Sequence, residues 1–234
     1  QKNPIVFLAN GLTVNCPFFV NQESQATTWQ DLKGKRLGTT SETGPSFTTF
    51  KVTMKAKEGI DVDTYFRISH SPFAELIPRL TRGEIDGAIG RCSEVGIAQA
   101  IEEAKFKVIG NLTDILFKDG TFKELMLDGV VANRKWTTAQ PQTAKKFQET
   151  LYKAYEYIKI HPEIYDDDDV KRAYAIDTSP PPTISKIKEL VPPFYSFVSW
   201  SELVDSQYRF FELAKQEGLL GELPPKTDLF FSAQ

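Results

Sequence analysis

Between residues 31 and 115, apolar positions come in short blocks whose period switches repeatedly between two and about 3.6 residues. Lys35–Thr40 (KRLGTT) reads as a short strand, and Gly44–Glu58 as a helix carrying Phe47, Phe50, Val52, Met54 and Ala56. Thr64–His70 (TYFRISH) alternates like a strand. Pro72–Arg82 places Phe73, Leu76, Ile77 and Leu80 at i, i+3, i+4 and i+7, a helical stripe that Gly83 ends. Ile85–Gly90 (IDGAIG) reads as a strand of small side chains, Ser93–Ala104 as a helix with a cap but no capping box, and Phe106–Leu112 as another strand. Strand–helix–strand repeated with short connections predicts an α/β fold: a parallel sheet covered by helices on both faces and joined by right-handed crossovers.

The flanks follow another rhythm. Residues 4–20 (PIVFLANGLTVNCPFFV) form the longest apolar run, interrupted by Asn10, Asn15 and Pro17. A bilayer would leave those amides without partners, so the run predicts a strand, a kink and a second strand. Leu127–Asn133 predicts a further strand. Pro141–Ile160 predicts a long amphipathic helix with Phe147, Leu151, Ala154, Tyr155 and Ile158 on one face. Asp166–Asp169 predicts a solvated helix start rather than a calcium loop, which needs alternating ligands and a central glycine. Thr178–Pro182 (TSPPP) predicts a rigid loop, followed by a helical tail through Gly218 and an extended Leu223–Leu229. The change of rhythm predicts two lobes joined by a hinge: residues 29–119 inserted into a discontinuous lobe of residues 1–28 and 120–234.

Composition narrows this picture only moderately. The 234 residues are 41% hydrophobic, enough for one large domain or two small lobes. A net charge of −3, with both signs dispersed, gives no nucleic-acid footprint. No basic segment followed by an apolar one opens the sequence, so any targeting peptide is expected to be absent or already removed. Cys16 and Cys92 are too few for a disulfide framework and lack metal-site spacing; each reads as a small buried apolar residue, and an oxidising compartment would allow one disulfide between them.

The stretch LGTTSETGPSF (Leu37–Phe47) crowds hydroxyls and a glycine between a strand and a helix. In an open α/β sheet, ligands lie where strands end and helices begin, and a helix start offers unpaired N–H groups and partial positive charge. Gly44 allows close backbone approach, Pro45 fits the first helical position, and Thr43 or Ser46 can cap the helix or touch a ligand. An ordinary N-cap and a ligand turn are both compatible with this stretch. It is not a phosphate P-loop, because GxxxxGK[ST] is absent. Gly90-Arg91-Cys92-Ser93 repeats the arrangement at another strand end, where Arg91 would pair with an anion or, alternatively, with Glu94 at the surface. HExxH, GxSxG and CxxC are all absent, and any pairing of His70 with Cys92 would have to be made by the fold. Both histidines read as surface or capping residues.

With DLKGKR at Asp31–Arg36 and GEIDGA at Gly83–Ala88, the chain resembles the solute-binding proteins of ABC importers for aliphatic sulfonates, taurine, nitrate and thiamine-pyrimidine precursors. The stretch GVVANRKW with the helix after it, and the terminal LLGELPPKTDL, extend the likeness along nearly the whole chain. The resemblance implies a type II periplasmic-binding-protein fold and capture of a small polar or anionic solute in a cleft by lobe closure, without catalysis or cofactor. It also implies a membrane ABC permease as partner and a periplasmic or membrane-tethered extracellular location. The expected ligand contacts are Asn10, Thr40, Ser41, Thr43, Gly44, Ser46, Arg91, Cys92 and Asp128. Family members usually begin with one more β-α-β unit, whereas this sequence starts at the strand PIVFLAN. That departure predicts an exposed sheet edge around Ile5–Leu8 and Val130–Val131, and with it a homodimer or strand sharing. The enzymatic alternatives on the same fold are a thiamine-pyrimidine synthase, marked by a cysteine cluster, and a menaquinone-pathway enzyme, for which His70 is the only candidate acid or base.

Overall fold

The computed structural model describes residues 4–90, 105–195 and 198–232. In chain order the elements begin β1 (Ile5–Asn10), β2 (Pro17–Asn21), β3 (Arg36–Thr39), α1 (Pro45–Glu58), α2 (Val62–Tyr65), β4 (Arg67–His70), α3 (Phe73–Thr81), β5 (Gly87–Ile89) and β6 (Phe106–Asn111). They continue α4 (Leu112–Leu116), β7 (Gly129–Asn133), α5 (Arg134–Ala139), α6 (Pro141–Ile160), α7 (Asp168–Ala173), α8 (Pro181–Leu190), α9 (Trp200–Gln216) and α10 (Lys226–Leu229). The chain divides into two units, one of Gln1–Val14, Gly120–His161 and Pro193–Gln234, the other of Asn15–Asp119 and Pro162–Pro192. Residues 15–28 and 162–192 thus group with the second unit, whereas the sequence reading assigns them to the other lobe.

The second unit holds a five-stranded sheet in the order β4-β3-β5-β2-β6. Strands β4, β3 and β5 are parallel, but β2 lies antiparallel between β5 and β6. The expected all-parallel sheet is therefore interrupted by one strand. The crossovers do send β3, β4, β5 and β6 the same way; β2, which precedes them in sequence, supplies the missing hydrogen bonds between β5 and β6 from the opposite direction. Its Pro17, which has no N–H to give a ladder, sits at the first strand position. Phe18, Leu37, Phe47, Phe50 and Met54 fill the core of this unit with essentially no exposure. Each such side chain contributes about 1.5–3 kcal/mol of burial. Helix α3 packs on β2, β3 and β5 through its stripe, in which Leu76 and Leu80 are buried, and Gly83 follows in the left-handed conformation (φ +69°).

Helical turns replace part of one predicted strand and of one predicted loop. Thr64 and Tyr65 belong to α2 rather than β4, because the Asp61 carboxylate accepts from Asp63 N–H and caps a helical turn there. Pro181 opens α8 where TSPPP reads as loop, its fixed φ suiting a first helical position. The acidic run starts a helix as expected: the Asp167 carboxylate accepts from Asp169 and Val170 N–H.

In the first unit, β1 and β7 form a two-stranded antiparallel sheet, and Phe231 N–H donates to Phe7 O on the far side of β1. Alternation along β1 sends Val6 and Leu8 against Ala144 of α6 and Phe231, and Phe7 to the cluster of Met126, Leu203, Val204 and Phe230. The long helix α6 matches its predicted span, but its inward face differs. Of the expected face, Tyr155 is buried and Leu151 and Ile158 are half-buried, but Phe147 is 48% exposed and Ala154 is exposed, while Ala144, outside that face, is buried. The tertiary contacts thus shift the buried row toward Ala144, Gln148, Tyr152 and Tyr155. The tail is not fully extended either, since Lys226–Leu229 makes the helical turn α10.

Candidate functional site

At the end of β3, Thr39 is buried and the chain turns through Thr40–Gly44 into α1. Gly44 N–H donates to Ser41 O (2.9 Å), and the Ser41 and Thr43 hydroxyls lie 3.2 Å apart. Gly44 itself is the N-cap, with no side-chain cap bond, and Pro45 is the first helical residue. None of the hydroxyls is therefore consumed in capping α1, and the free N–H groups of its first turn remain open to an acceptor. The neighbouring strand end braces this turn: His70 Nδ1 lies 2.7 Å from Thr40 O, and its ring meets Phe47 edge-on at 4.7 Å. Ser71 N–H donates to Thr39 O, while its own hydroxyl is buried without a hydrogen-bond partner. The sequence reading passed over Ser71; its place at a strand end, directly before a helix, is the signal that marks it.

The other unit carries a second polar centre. Asn10 ends β1 with 0% exposure, and both side-chain atoms of its amide lack hydrogen-bond partners. Its backbone is well held, since Tyr155 Oη donates to Asn10 O (2.8 Å) and Asn10 N–H points to Tyr152 Oη (3.4 Å). Tyr152 and Tyr155 stand one turn apart on α6, with Tyr195 against the Tyr155 ring at 5.0 Å. Burial pushes the Tyr152 hydroxyl above its ordinary pKa, and the Glu124 carboxylate adds to the rise against a hydrogen bond from Asn10 that lowers it. Leaving a buried amide unsatisfied costs about 1–3 kcal/mol per group, so such a centre persists where something outside the chain completes it. Asn10 is among the expected ligand contacts; Tyr152 and Tyr155 are not, although their spacing in α6 was a readable cue.

Thus the fold brings Thr40, Ser41, Thr43, Gly44 and Ser46 together, and it brings Asn10 near Tyr152 and Tyr155. Asp128 lies at the entry to β7 and accepts from Leu12 N–H (2.7 Å), tying down the chain as it leaves β1. Arg91 and Cys92, with the predicted helix Ser93–Ala104, lie outside the described residues. Cys16 is buried. His161 follows α6 and stacks on Tyr157 at 4.3 Å. Among the described residues, no three His, Cys, Asp or Glu side chains gather to hold a metal. Nor is any helix there long and apolar enough to cross a membrane.

A family model described as NMT1/THI5 like matches residues 1–164. No curated protein matches the sequence significantly. Among solved structures, the chain is similar to the periplasmic sulfonate-binding protein SsuA of Methylobacillus flagellatus KT, with 17% identity and a TM-score of 0.66 over 97% of this chain and 66% of that one. It is similar to the alkanesulfonate-binding protein SsuA of Xanthomonas axonopodis pv. citri, bound to MOPS, with 15% identity and a TM-score of 0.64 over 94% and 71%. The periplasmic aliphatic sulphonate binding protein SsuA of Escherichia coli gives 14% identity and a TM-score of 0.68 over 99% and 70%. The chain thus spans about two thirds of the length of these proteins, and at such identities the likeness establishes the α/β fold they share.

Proposed function

The chain belongs to the NMT1/THI5-like family, and from that membership we propose that it binds a small polar or anionic solute, without catalysis, for delivery to an ABC importer. The Asn10 amide carries this reading: a fully buried donor and acceptor, both unpartnered, framed by two tyrosines, calls for a polar occupant. The preference for an anion rests on the uncapped hydroxyls and open N–H groups where Thr40–Ser46 meets α1. A periplasmic or membrane-tethered extracellular setting and a permease partner follow from the same reading.

An enzymatic role finds less support. His70 spends Nδ1 at Thr40 O and packs on Phe47, which suits a bracing role. Self-association belongs to the proposal as well: among the described residues β7 pairs only with β1, and Val131 is 48% exposed on that strand. The functional test is native mass spectrometry of the purified protein. A non-covalently retained small molecule, released intact on denaturation and rebound in calorimetry, supports the reading; a covalent adduct or a chemically altered product refutes it.

A further inference from the structure

On the outer side of edge strand β4, a cavity of about 430 Å³ is lined by His70, Ser71, Glu75, Arg79, Arg82 and Glu84. We infer that this cavity is a second binding site, one that receives a small oxyanion at the start of α3. The inference goes beyond the function proposed above and stands without it.

Two independent features meet at one end of the cavity. Helix α3 begins at Phe73, so the backbone N–H groups of Phe73 and Ala74 have no partner within the helix and the helix start carries partial positive charge. Ser71 lines the same cavity at 8% exposure, and its buried hydroxyl makes no hydrogen bond within the chain. A buried hydroxyl beside open backbone donators of a helix start is a donor set aimed at an acceptor. Serine is well suited to this, since its proton rotates toward whichever oxygen arrives.

The charges along α3 set which anions fit. Arg79 donates to Ser69 Oγ (2.8 Å) and sits 3.4 Å from Glu84, while Arg82 donates to Glu84 Oε1 (2.6 Å). Glu84 thus takes one nitrogen from each guanidinium, leaving further N–H groups on both. Glu84 is accordingly held below the usual carboxylate range, by Arg82 first and Arg79 after it. Glu75 has no ion-pair partner among the described residues and lies on the α3 face toward Arg82. The cavity therefore accepts one negative group at the Ser71 end and disfavours a second near Glu75. A compact oxyanion, or a zwitterion whose ammonium reaches Glu75, meets this pattern; an extended dicarboxylate does not.

The test is a nitrogen-15 amide titration of the whole chain with sulfate, acetate, β-alanine and succinate at constant ionic strength. Saturable shifts of the Phe73, Ala74 and Glu75 amides with sulfate, acetate or β-alanine are expected, with succinate weakest. Ser71→Ala should weaken this binding about tenfold, the effect of one charge-assisted hydrogen bond. Its melting temperature without anion should stay level or rise, because the unpartnered hydroxyl is gone. Shifts that do not saturate, shifts centred elsewhere, or a Ser71→Ala titration that overlays the parent would each overturn the inference. Succinate binding as tightly as acetate would overturn the selectivity assigned to Glu75.

Discussion

Replacing Asn10 by Leu separates binding from folding. The amide is fully buried with both side-chain atoms unpartnered, so the empty protein bears its desolvation cost with nothing in return. Leu keeps the branched, four-heavy-atom outline of the Asn side chain without a polar atom, and the backbone bonds to Tyr152 and Tyr155 do not involve the side chain. Removing an unsatisfied polar group should recover about 1–3 kcal/mol. For a chain of this size each kcal/mol moves the melting temperature by about 2–4 °C, so Asn10→Leu should melt several degrees higher than the parent. Any solute retained by the parent should be lost from the variant, because a donor and an acceptor disappear together. Paired thermal melts and native mass spectrometry on both proteins make the comparison, which is the stability–function trade-off expected of a binding residue. A variant that melts lower than the parent would show that the amide is internally satisfied and structural, and would remove Asn10 from the site.

Three further outcomes follow from particular contacts. Tyr155→Phe should cost about 1–3 kcal/mol in denaturant unfolding, because the buried Asn10 carbonyl loses its 2.8 Å donor; an unchanged midpoint would show that the bond contributes nothing net. The Lys123 ammonium, helped by the Ser199 hydroxyl and N–H, lowers Glu202 from its ordinary 4.5 to about 2 in the folded protein. A depressed carboxylate stabilises the fold above about pH 4.5 and loses that contribution as pH falls toward 2, so Glu202→Gln should melt below the parent at pH 7 and converge with it near pH 2. A gap between the two that persists at pH 2 would refute the linkage. A Cβ at Gly11 would stand 2.2 Å from Asp128 Oδ1, so Gly11→Ala should displace that carboxylate from Leu12 N–H and destabilise by about 1–2 kcal/mol, less in an Asp128→Ala background; an equal loss in both would break the assigned coupling.

Much of the local structure was written in the sequence because its causes are local. Hydrophobic period placed α3 and α6, Pro at a first helical position opened α1 and α6, and Asp167 capped α7 with its own carboxylate. The Thr40–Ser46 turn could likewise be singled out, because strand, hydroxyls, glycine and helix follow one another directly. What the sequence alone could not supply depended on partners distant in the chain. Strand β2 entered the middle of the sheet because β5 and β6 both needed a neighbour, a pairing that periodicity does not encode. The buried row of α6 kept Tyr155 but took in Ala144 instead of Phe147 because β1 lay there to receive it. Ser71 acquired meaning only once the surrounding chain had removed it from water without offering a partner, and Asn10, expected as a contact from the resemblance, acquired its physical reason in the same way. Hydrogen-bond satisfaction is a property of the whole packed structure, so the residues left wanting by it are visible only there.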